Sequence, residues 1–176
     1  MKKVENKAAL KKSIIYLLSK KKAVDITVTD LVRESKVPRA SFYRLYKNVD
    51  EVINDVVKDI TDNFDNNVSP AVRARDERKI KKIFTDFFIF VKQPRNPFTN
   101  MLPENYSMII SKIGQHNPGQ LIVGSNKIMN KYVPKLFLLN VSSIAKMWCK
   151  SGYVESIEEM VEFTYNTLCK TLIYIT

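Results

Sequence analysis

Residues 27–46 of this chain, TVTDLVRESKVPRASFYRLY, decide its fold. The pattern predicts two short helices joined by a tight turn. Thr27 is a good N-cap for the first helix, because Asp30 three residues later can return a hydrogen bond and favours the positive helix end. Pro38 suits the first turn of a second helix, where its missing N–H is no loss, so the first helix ends near Ser35.

The second helix of this stretch has one buried side and one polar side. Phe42, Leu45 and Tyr46 recur at three- and four-residue spacing, which places them on one helical face. A helix–turn–helix reads DNA by laying such a second helix in the major groove, with Arg and polar side chains on base edges or phosphates. The residues expected to contact DNA are Arg39, Ala40, Ser41, Tyr43 and Arg44, with Thr27, Lys36 and Lys47 on phosphates.

The charge of the chain is concentrated near the same stretch. Residues 1–47 contain 13 Lys/Arg and 4 Asp/Glu, a balance of +9, whereas residues 48–176 contain 16 and 14, a balance of +2. A basic excess on a helix–turn–helix is the electrostatic footprint of phosphate binding. The plainer alternatives are an ordinary helical hairpin with a solvated cationic face, and Tyr43 packed at the helix edge.

At these residues the chain resembles the TetR family of bacterial transcriptional regulators. That family has a Thr-Val-polar-acid-Ile-Ala helix, an Ala-Gly-Val-Ser turn, a Thr-Leu-Tyr recognition core and then Tyr-Phe. Lys36 stands where the family usually has the turn glycine, so either it adopts a positive φ or the turn differs. Val49 stands where the family usually has a phosphate-binding lysine. The matching residues are Thr27, Val28, Asp30, Leu31, Val37, Ser41, Phe42, Tyr43, Arg44 and Tyr46.

The whole chain is predicted to be all-α, because it has only 4 glycines and no run of alternating apolar residues. We expect about nine helices from the apolar periodicity. The resemblance implies a three-helix helix–turn–helix head, residues 1–47, on a helical-bundle body for ligand binding and dimerisation, residues 64–176. A helix at 48–63, capped by Asn48 and Glu51, joins them. The DNNVSP segment at 65–70 predicts a loop at the junction.

Prolines, a glycine and a serine set the predicted helix ends in the body. Pro134 predicts a break between a helix ending near Tyr132 and another over residues 135–150. Gly152 is expected to close the latter helix, and Ser156 to cap the last one.

Aromatic and flexible apolar residues on the body helices predict an apolar ligand pocket, although at helical spacing such residues more often fill a core. An effector, if there is one, is expected to be a small apolar or aromatic molecule. The pocket candidates are Phe84, Phe87, Phe88, Phe98, Met101, Tyr106, Met108 and Trp148.

The last two helices resemble the TetR family again, since a long helix ending Trp-polar-polar-polar-Gly precedes a Ser-led Glu-Glu-Met helix. In that family these two helices from each of two subunits form a four-helix dimer interface, so the resemblance implies a homodimer. Core packing within one subunit is the alternative for each residue. The interface candidates are Phe137, Val141, Ile144, Trp148, Met160, Phe163, Thr167 and Leu168.

Other classes of function lack support in the sequence. It has no Gly-rich phosphate loop, nucleophile elbow or ligand-spaced cluster, so we expect neither an enzyme nor a cofactor or metal site. His116, the only histidine, is expected in an exposed loop. No apolar stretch approaches the ~20 residues needed to cross a bilayer, and the Lys-rich start lacks a signal-peptide core, so a cytoplasmic protein is expected. Cys149 and Cys169 are expected to be free buried thiols.

The sequence thus predicts a homodimeric, ligand-responsive repressor that binds a pseudo-palindromic operator in double-stranded DNA. One alternative is a regulator of the same type whose body has a filled core and binds a protein partner. A helical enzyme is the remote alternative.

Overall fold

The computed structural model describes residues 2–93, 96, 100–115 and 127–170. Every regular element within these residues is helical, so the predicted all-α fold is confirmed. A 3-10 turn occupies Ala23–Asp25, and π-helical segments occupy Phe64–Val68 and Tyr165–Lys170. The α-helices are α1 (Lys2–Leu18), α2 (Val28–Ser35), α3 (Arg39–Tyr43), α4 (Val49–Asn63), α5 (Ser69–Arg73), α6 (Glu77–Val91), α7 (Pro103–Gln115), α8 (Lys127–Lys150) and α9 (Ile157–Thr164).

The chain divides into two compact units, and the division falls within α4. The first unit comprises Met1–Ile60 and Asn100–Gln115, and the second comprises Thr61–Thr99 and His116–Thr176. The sequence assigned the segment containing α7 to the body, but α7 belongs to the first unit. As functional domains, residues 1–47 and 64–176 stay a prediction.

The first unit is built on the apolar face of α1. Leu10, Ile14, Leu17 and Leu18 are at most 6% exposed, because their spacing places them on one side of the helix. Ala8 lies on the opposite side of the helix and is exposed. α1 lies against α2, and α2 lies against α3.

A network around the Asp55 carboxylate ties α1 to α4. It accepts hydrogen bonds from the Tyr46 hydroxyl at 2.6 Å and from Lys7 Nζ at 3.1 Å, and Lys11 Nζ lies 3.2 Å away. Lys11 Nζ also pairs with Asp59 at 2.7 Å. Burial alone would raise the pKa of Asp55, but hydrogen bonds from the hydroxyl and the two ammonium groups outweigh it and lower the pKa to about 2. Lys7 and Lys11 are therefore paired with carboxylates of the first unit itself.

α7 joins the first unit through Asn105, which is 2% exposed. The Asn105 amide nitrogen donates to the carbonyl oxygens of Leu18 and Lys21, both at 2.8 Å, and its amide oxygen accepts from the N–H of Ala23 at 2.8 Å. The side chain closes the C-terminal end of α1, where carbonyl groups lack partners within the helix. Farther along α7, Lys112 Nζ lies 2.8 Å from the Asp50 carboxylate of α4.

Residues 65–70, predicted to form a loop, are helical instead. The π-helical turn Phe64–Val68 runs directly into α5, and Pro70 stands in the first turn of α5, where a missing N–H is tolerated. Phe64, Ala71 and Val72 are 2%, 1% and 6% exposed. Burial of these apolar side chains overrides the local turn preference of the neighbouring Asn and Ser residues.

α8 is also continuous where a break was predicted. Pro134 lies inside it, although a proline within a helix removes a backbone hydrogen bond and costs about 3 kcal/mol or more. Pro134 is buried and shares one helical face with the buried residues Phe137, Val141 and Ile144. The burial of this whole face offsets the cost of the proline.

The C-terminal end of α8 and the N-terminal end of α9 lie where the sequence predicted them. α8 ends at Lys150, and Gly152 follows with a φ of 82°, which glycine adopts without steric cost. Ser156 caps α9 as predicted: its hydroxyl accepts from the N–H of Glu159 at 3.1 Å, and the Glu159 carboxylate accepts from the N–H of Ser156 at 2.7 Å.

Candidate nucleic-acid interface

The start of α2 is held by Thr27 and Asp30 in the predicted capping arrangement. The Asp30 N–H donates to Thr27 Oγ1 at 3.1 Å, and the Asp30 carboxylate accepts from the N–H of Thr27 at 2.9 Å. A hydrogen bond from Lys21, 2.8 Å away, and then those from Thr27 hold the pKa of Asp30 well below its usual range. The Thr27 hydroxyl also donates to Asp30 at 2.8 Å. A phosphate contact by the Thr27 hydroxyl proton therefore requires this bond to be exchanged.

Lys36 forms the turn between α2 and α3 with a left-handed backbone. Its φ is 59° and its ψ is 14°, so of the two alternatives left open by the sequence, the lysine adopts the conformation usual for glycine. This conformation costs a residue with a Cβ atom about 1 kcal/mol. The Lys36 side chain is exposed beside the start of α3.

α3 is a short helix anchored by one ring. Phe42 is completely buried, and its ring contacts that of Tyr46 at 6.1 Å and meets that of Tyr43 edge-on at 5.3 Å. Tyr46 is 5% exposed and Leu45 is half-buried, both in the turn that follows the helix. Ser41 is half-buried, and the residues on the opposite, exposed side are Arg39, Ala40, Tyr43 and Arg44.

The guanidinium of Arg39 bridges α2 and α3. Its Nη1 donates to Thr29 Oγ1 at 3.1 Å and its Nη2 donates to the Tyr43 hydroxyl at 3.2 Å, with the Tyr43 ring centre 5.5 Å from the guanidinium carbon. The spacing of Arg39 and Tyr43, four residues apart on a helix, is a signal that could have paired them. Thr29 was missed, because its proximity depends on how α2 and α3 cross.

Three further cations flank this pair: Lys36, Arg44 and Lys47 are all exposed. None of them forms an ion pair with another residue in the described part of the chain. Lys47 donates its backbone N–H to the Glu51 carboxylate at 2.7 Å, while Asn48 caps α4 by accepting from the N–H of Glu51 at 3.0 Å. The cations next to α3 are thus available to an anionic partner, whereas Lys7 and Lys11 are already paired with the Asp55 carboxylate.

Comparison of the sequence with protein-family models gives no match, and comparison with curated proteins gives none either. A solved structure does match: the crystal structure of a TetR transcriptional regulator from Streptococcus agalactiae 2603V has a TM-score of 0.54 to this chain, with 95% of each chain covered and 13% identity. The chain has a TetR-like fold. At this level of identity the similarity establishes the fold alone.

The pocket candidates of this TetR-like fold are divided between the two units. In the second unit the rings contact one another: Phe88 meets Trp148 edge-on at 5.4 Å, and Phe84 stacks on Phe137 at 6.1 Å. Phe84, Phe88 and Trp148 are at most 2% exposed and so fill a core. Phe98 lies outside the described residues, as does His116. The remaining candidates are Phe87 in the second unit and Met101, Tyr106 and Met108 in the first.

Most of the predicted dimer residues are buried inside the second unit of the TetR-like fold. Phe137, Val141, Ile144, Trp148 and Met160 are at most 9% exposed and belong to one apolar core cluster. Their apolar side chains are buried by packing within one chain, which is the alternative of core packing that the sequence left open. Of the other three candidates, Leu168 is half-buried, and Phe163 and Thr167 are exposed.

A second face of α8, apart from the one that Phe137, Val141 and Ile144 bury, exposes apolar side chains that were not among the predicted interface residues. Leu136 is 52% exposed, Leu139 36% and Met147 62%, and Phe163 on α9 is 53% exposed. Met147 and Phe163 also border a groove between α8 and α9 that has Glu155 on its lining. The helical spacing of Leu136, Leu139 and Met147 on a second apolar face of α8 was a signal present in the sequence.

No helix among the described residues is long and apolar enough to span a membrane. Within the same residues, His, Cys, Asp and Glu side chains do not gather in groups of three or more that could hold a metal ion.

Proposed function

We propose that this protein is a DNA-binding transcriptional regulator that works as a homodimer and represses from a pseudo-palindromic operator. The observation that carries the proposal is the exposed side of α3. Arg39 and Tyr43 project from α3, and Arg44 is the residue that follows it. The fully buried Phe42 fixes the position of this helix. The balance of +9 over residues 1–47 supports the same reading.

In this proposal Arg39 recognises the DNA sequence, whereas Lys36 and Lys47 bind the DNA backbone. Arg39 at the start of α3 reads a base edge in the major groove, where an arginine can donate two hydrogen bonds to O6 and N7 of guanine. Lys36 and Lys47, on either side of α3, bind phosphates and fix the position of the helix on the duplex. These contacts replace counterions, so affinity should fall steeply with salt.

The proposed dimer uses the exposed apolar face of α8 with Phe163 of α9. In a two-fold contact the same patch on both copies is covered, which removes Leu136, Leu139 and Met147 from water. The charges agree with this arrangement: α8 carries five lysines and no acidic residue, while residues 151–164 carry four glutamates and no Lys or Arg. Opposite charges favour α8 of one copy next to α9 of the other.

The repressor is proposed to respond to a signal through its second unit, and two kinds of signal are candidates. A small apolar or aromatic effector is the first. The second is a protein partner, which the ring packing of Phe84, Phe88 and Trp148 favours because these residues fill a core. Release of bound DNA in a screen of apolar and aromatic compounds supports the first candidate; release only by a protein fraction supports the second.

Selection of bound duplexes from a random pool tests the DNA-binding proposal. We expect enrichment of two inverted half-sites whose centres are separated by about 10 base pairs or a little more. Binding to the enriched duplex should weaken steeply as salt is raised. Recovery of no preferred sequence, at low salt as well as at physiological salt, would contradict the proposal.

A further inference from the structure

We propose that Thr29 is a positioning residue for DNA-sequence recognition: its hydroxyl holds the guanidinium of Arg39 so that Arg39 selects one base pair in each half-site. The inference rests on the proposed function and deepens it. Thr29 lies on α2, which precedes α3 in the sequence. Its Oγ1 accepts a hydrogen bond from Arg39 Nη1 at 3.1 Å.

The two groups that hold Arg39 both belong to well-fixed parts of the first unit. Thr29 is in the first turn of α2, directly after the Thr27–Asp30 capping box. Tyr43 packs its ring edge against the fully buried ring of Phe42, with 5.3 Å between centroids. The guanidinium is therefore held from two helices without any contribution from DNA.

This geometry leaves the rest of the guanidinium available. An arginine side chain has five N–H donors in one plane, and the bonds to Thr29 Oγ1 and to the Tyr43 hydroxyl use two of them. The free donors can form the paired contact with O6 and N7 of guanine. A side chain oriented in advance loses less conformational freedom on binding, and it presents its donors in one direction.

The alternative role for Thr29 is a direct contact with DNA, since its side chain is exposed. A direct contact would contribute to binding whether or not Arg39 is present. A positioning role would act only through Arg39. The two roles therefore differ in how the substitutions at residues 29 and 39 combine.

The experiment compares full-length wild type, Thr29→Val and Thr29→Ser, each with Arg39 and with Arg39→Ala, on the duplex selected by the wild type. Valine keeps the shape of threonine but has no acceptor, and serine keeps the acceptor. Affinity is measured at fixed salt for the selected duplex and for every single-base variant of one half-site. Thermal unfolding midpoints check that each variant is folded, and Thr29→Ala replaces the valine variant if that one is destabilised.

We expect Thr29→Val to weaken binding about three- to tenfold, the cost of ordering an arginine that only Tyr43 still holds, and to reduce the preference at one base position. Thr29→Ser should behave as the wild type, and Thr29→Val should have no effect when Arg39 is already alanine. Unchanged affinity and preference in Thr29→Val would overturn the inference, and so would an equal loss in both backgrounds. Absence of sequence-specific DNA binding by the wild type would remove the proposed function and this inference together.

Discussion

The side-chain amide of Asn105 in α7 donates to the carbonyl oxygen of Leu18 at the end of α1, at 2.8 Å. The same side chain makes two more hydrogen bonds of 2.8 Å, with Lys21 and Ala23, and it is 2% exposed. A segment far along the chain thus completes the end of the first helix. The first compact unit includes α7 for this reason.

Asn105→Ala should lower the free energy of unfolding by about 2–4 kcal/mol, because it removes three hydrogen bonds to backbone groups at and just after the end of α1, each contributing about 1 kcal/mol. Chemical unfolding monitored by circular dichroism measures the loss. Ser107→Ala is the matched control, since Ser107 is exposed on the same helix and its hydroxyl donates to the Pro103 carbonyl within that helix. Equal stability of the two variants would show that the Asn105 contacts contribute little.

Acid should destabilise the protein through Asp55. The pKa of Asp55 is lowered to about 2 in the folded chain by hydrogen bonds from Tyr46, Lys7 and Lys11, against an ordinary value of about 4, so the unfolded chain binds the proton more readily. The stabilisation from this carboxylate is present above about pH 4 and is lost as the pH falls toward 2. Asp55→Asn should cost about 1–3 kcal/mol at pH 7 and flatten the fall in stability between pH 4 and 2.

Tyr46→Phe is the control for that measurement, because it removes one hydrogen bond to Asp55 and keeps the ring against Phe42. It should give an intermediate loss at pH 7. An Asp55→Asn variant that keeps the full acid sensitivity of the wild type would assign the sensitivity to other carboxylates, with Asp30 the first to test because its pKa is also lowered.

Arg39→Ala combined with Tyr43→Ala should weaken binding to the selected operator about 10- to 100-fold at fixed salt, the worth of one good base contact. The unfolding midpoint should change little, since both side chains are exposed. Electrophoretic mobility shifts or fluorescence anisotropy measure the affinity. Arg78→Ala, an exposed cation of the second unit, controls for the change in net charge. Operator affinity equal to that of Arg78→Ala would refute the assignment of α3.

Lys36→Gly should raise the stability of the fold and weaken the salt dependence of DNA binding. Stability should rise by a few tenths to about 1 kcal/mol, because glycine relieves the left-handed strain while making the unfolded chain more flexible. The dependence of log affinity on log salt should become shallower by about one unit, because one phosphate contact is lost. Lys36→Asn tolerates the same backbone conformation without the charge and should reproduce the salt effect. An unaltered salt dependence in both variants would place Lys36 away from the phosphates.

Met147→Glu should convert the proposed dimer into a folded monomer, because it introduces a charge into the apolar face that the dimer would cover. Met147 is 62% exposed, so the fold of one chain should be kept. Sedimentation velocity at micromolar concentration measures the mass. Val24→Glu, at an 89% exposed apolar residue of the first unit, is the control and should leave the association unchanged. A wild-type protein that is monomeric at these concentrations would refute the dimer itself.

Features that depend on a few neighbouring residues could be predicted from the sequence. The capping boxes of Thr27 with Asp30 and of Ser156 with Glu159 are both present. The exposed side of α3 and the burial of Phe42 followed from spacing alone. These features share a cause: hydrogen bonds and side-chain faces within one helical turn are set by local geometry.

Features that depend on distant residues were decided only by the tertiary structure. Residues 65–70 and the segment around Pro134 are helical because burial of their apolar neighbours outweighs local preferences for a turn or a break. Which apolar face of α8 turns inward was likewise not readable, since both faces carry large hydrophobic residues. The same holds for the contact of Thr29 with Arg39 and for the capping of α1 by Asn105. Sequence alone determined the helix caps and the chemistry of the side chains, and packing between helices decided which segments stay helical and which side chains meet.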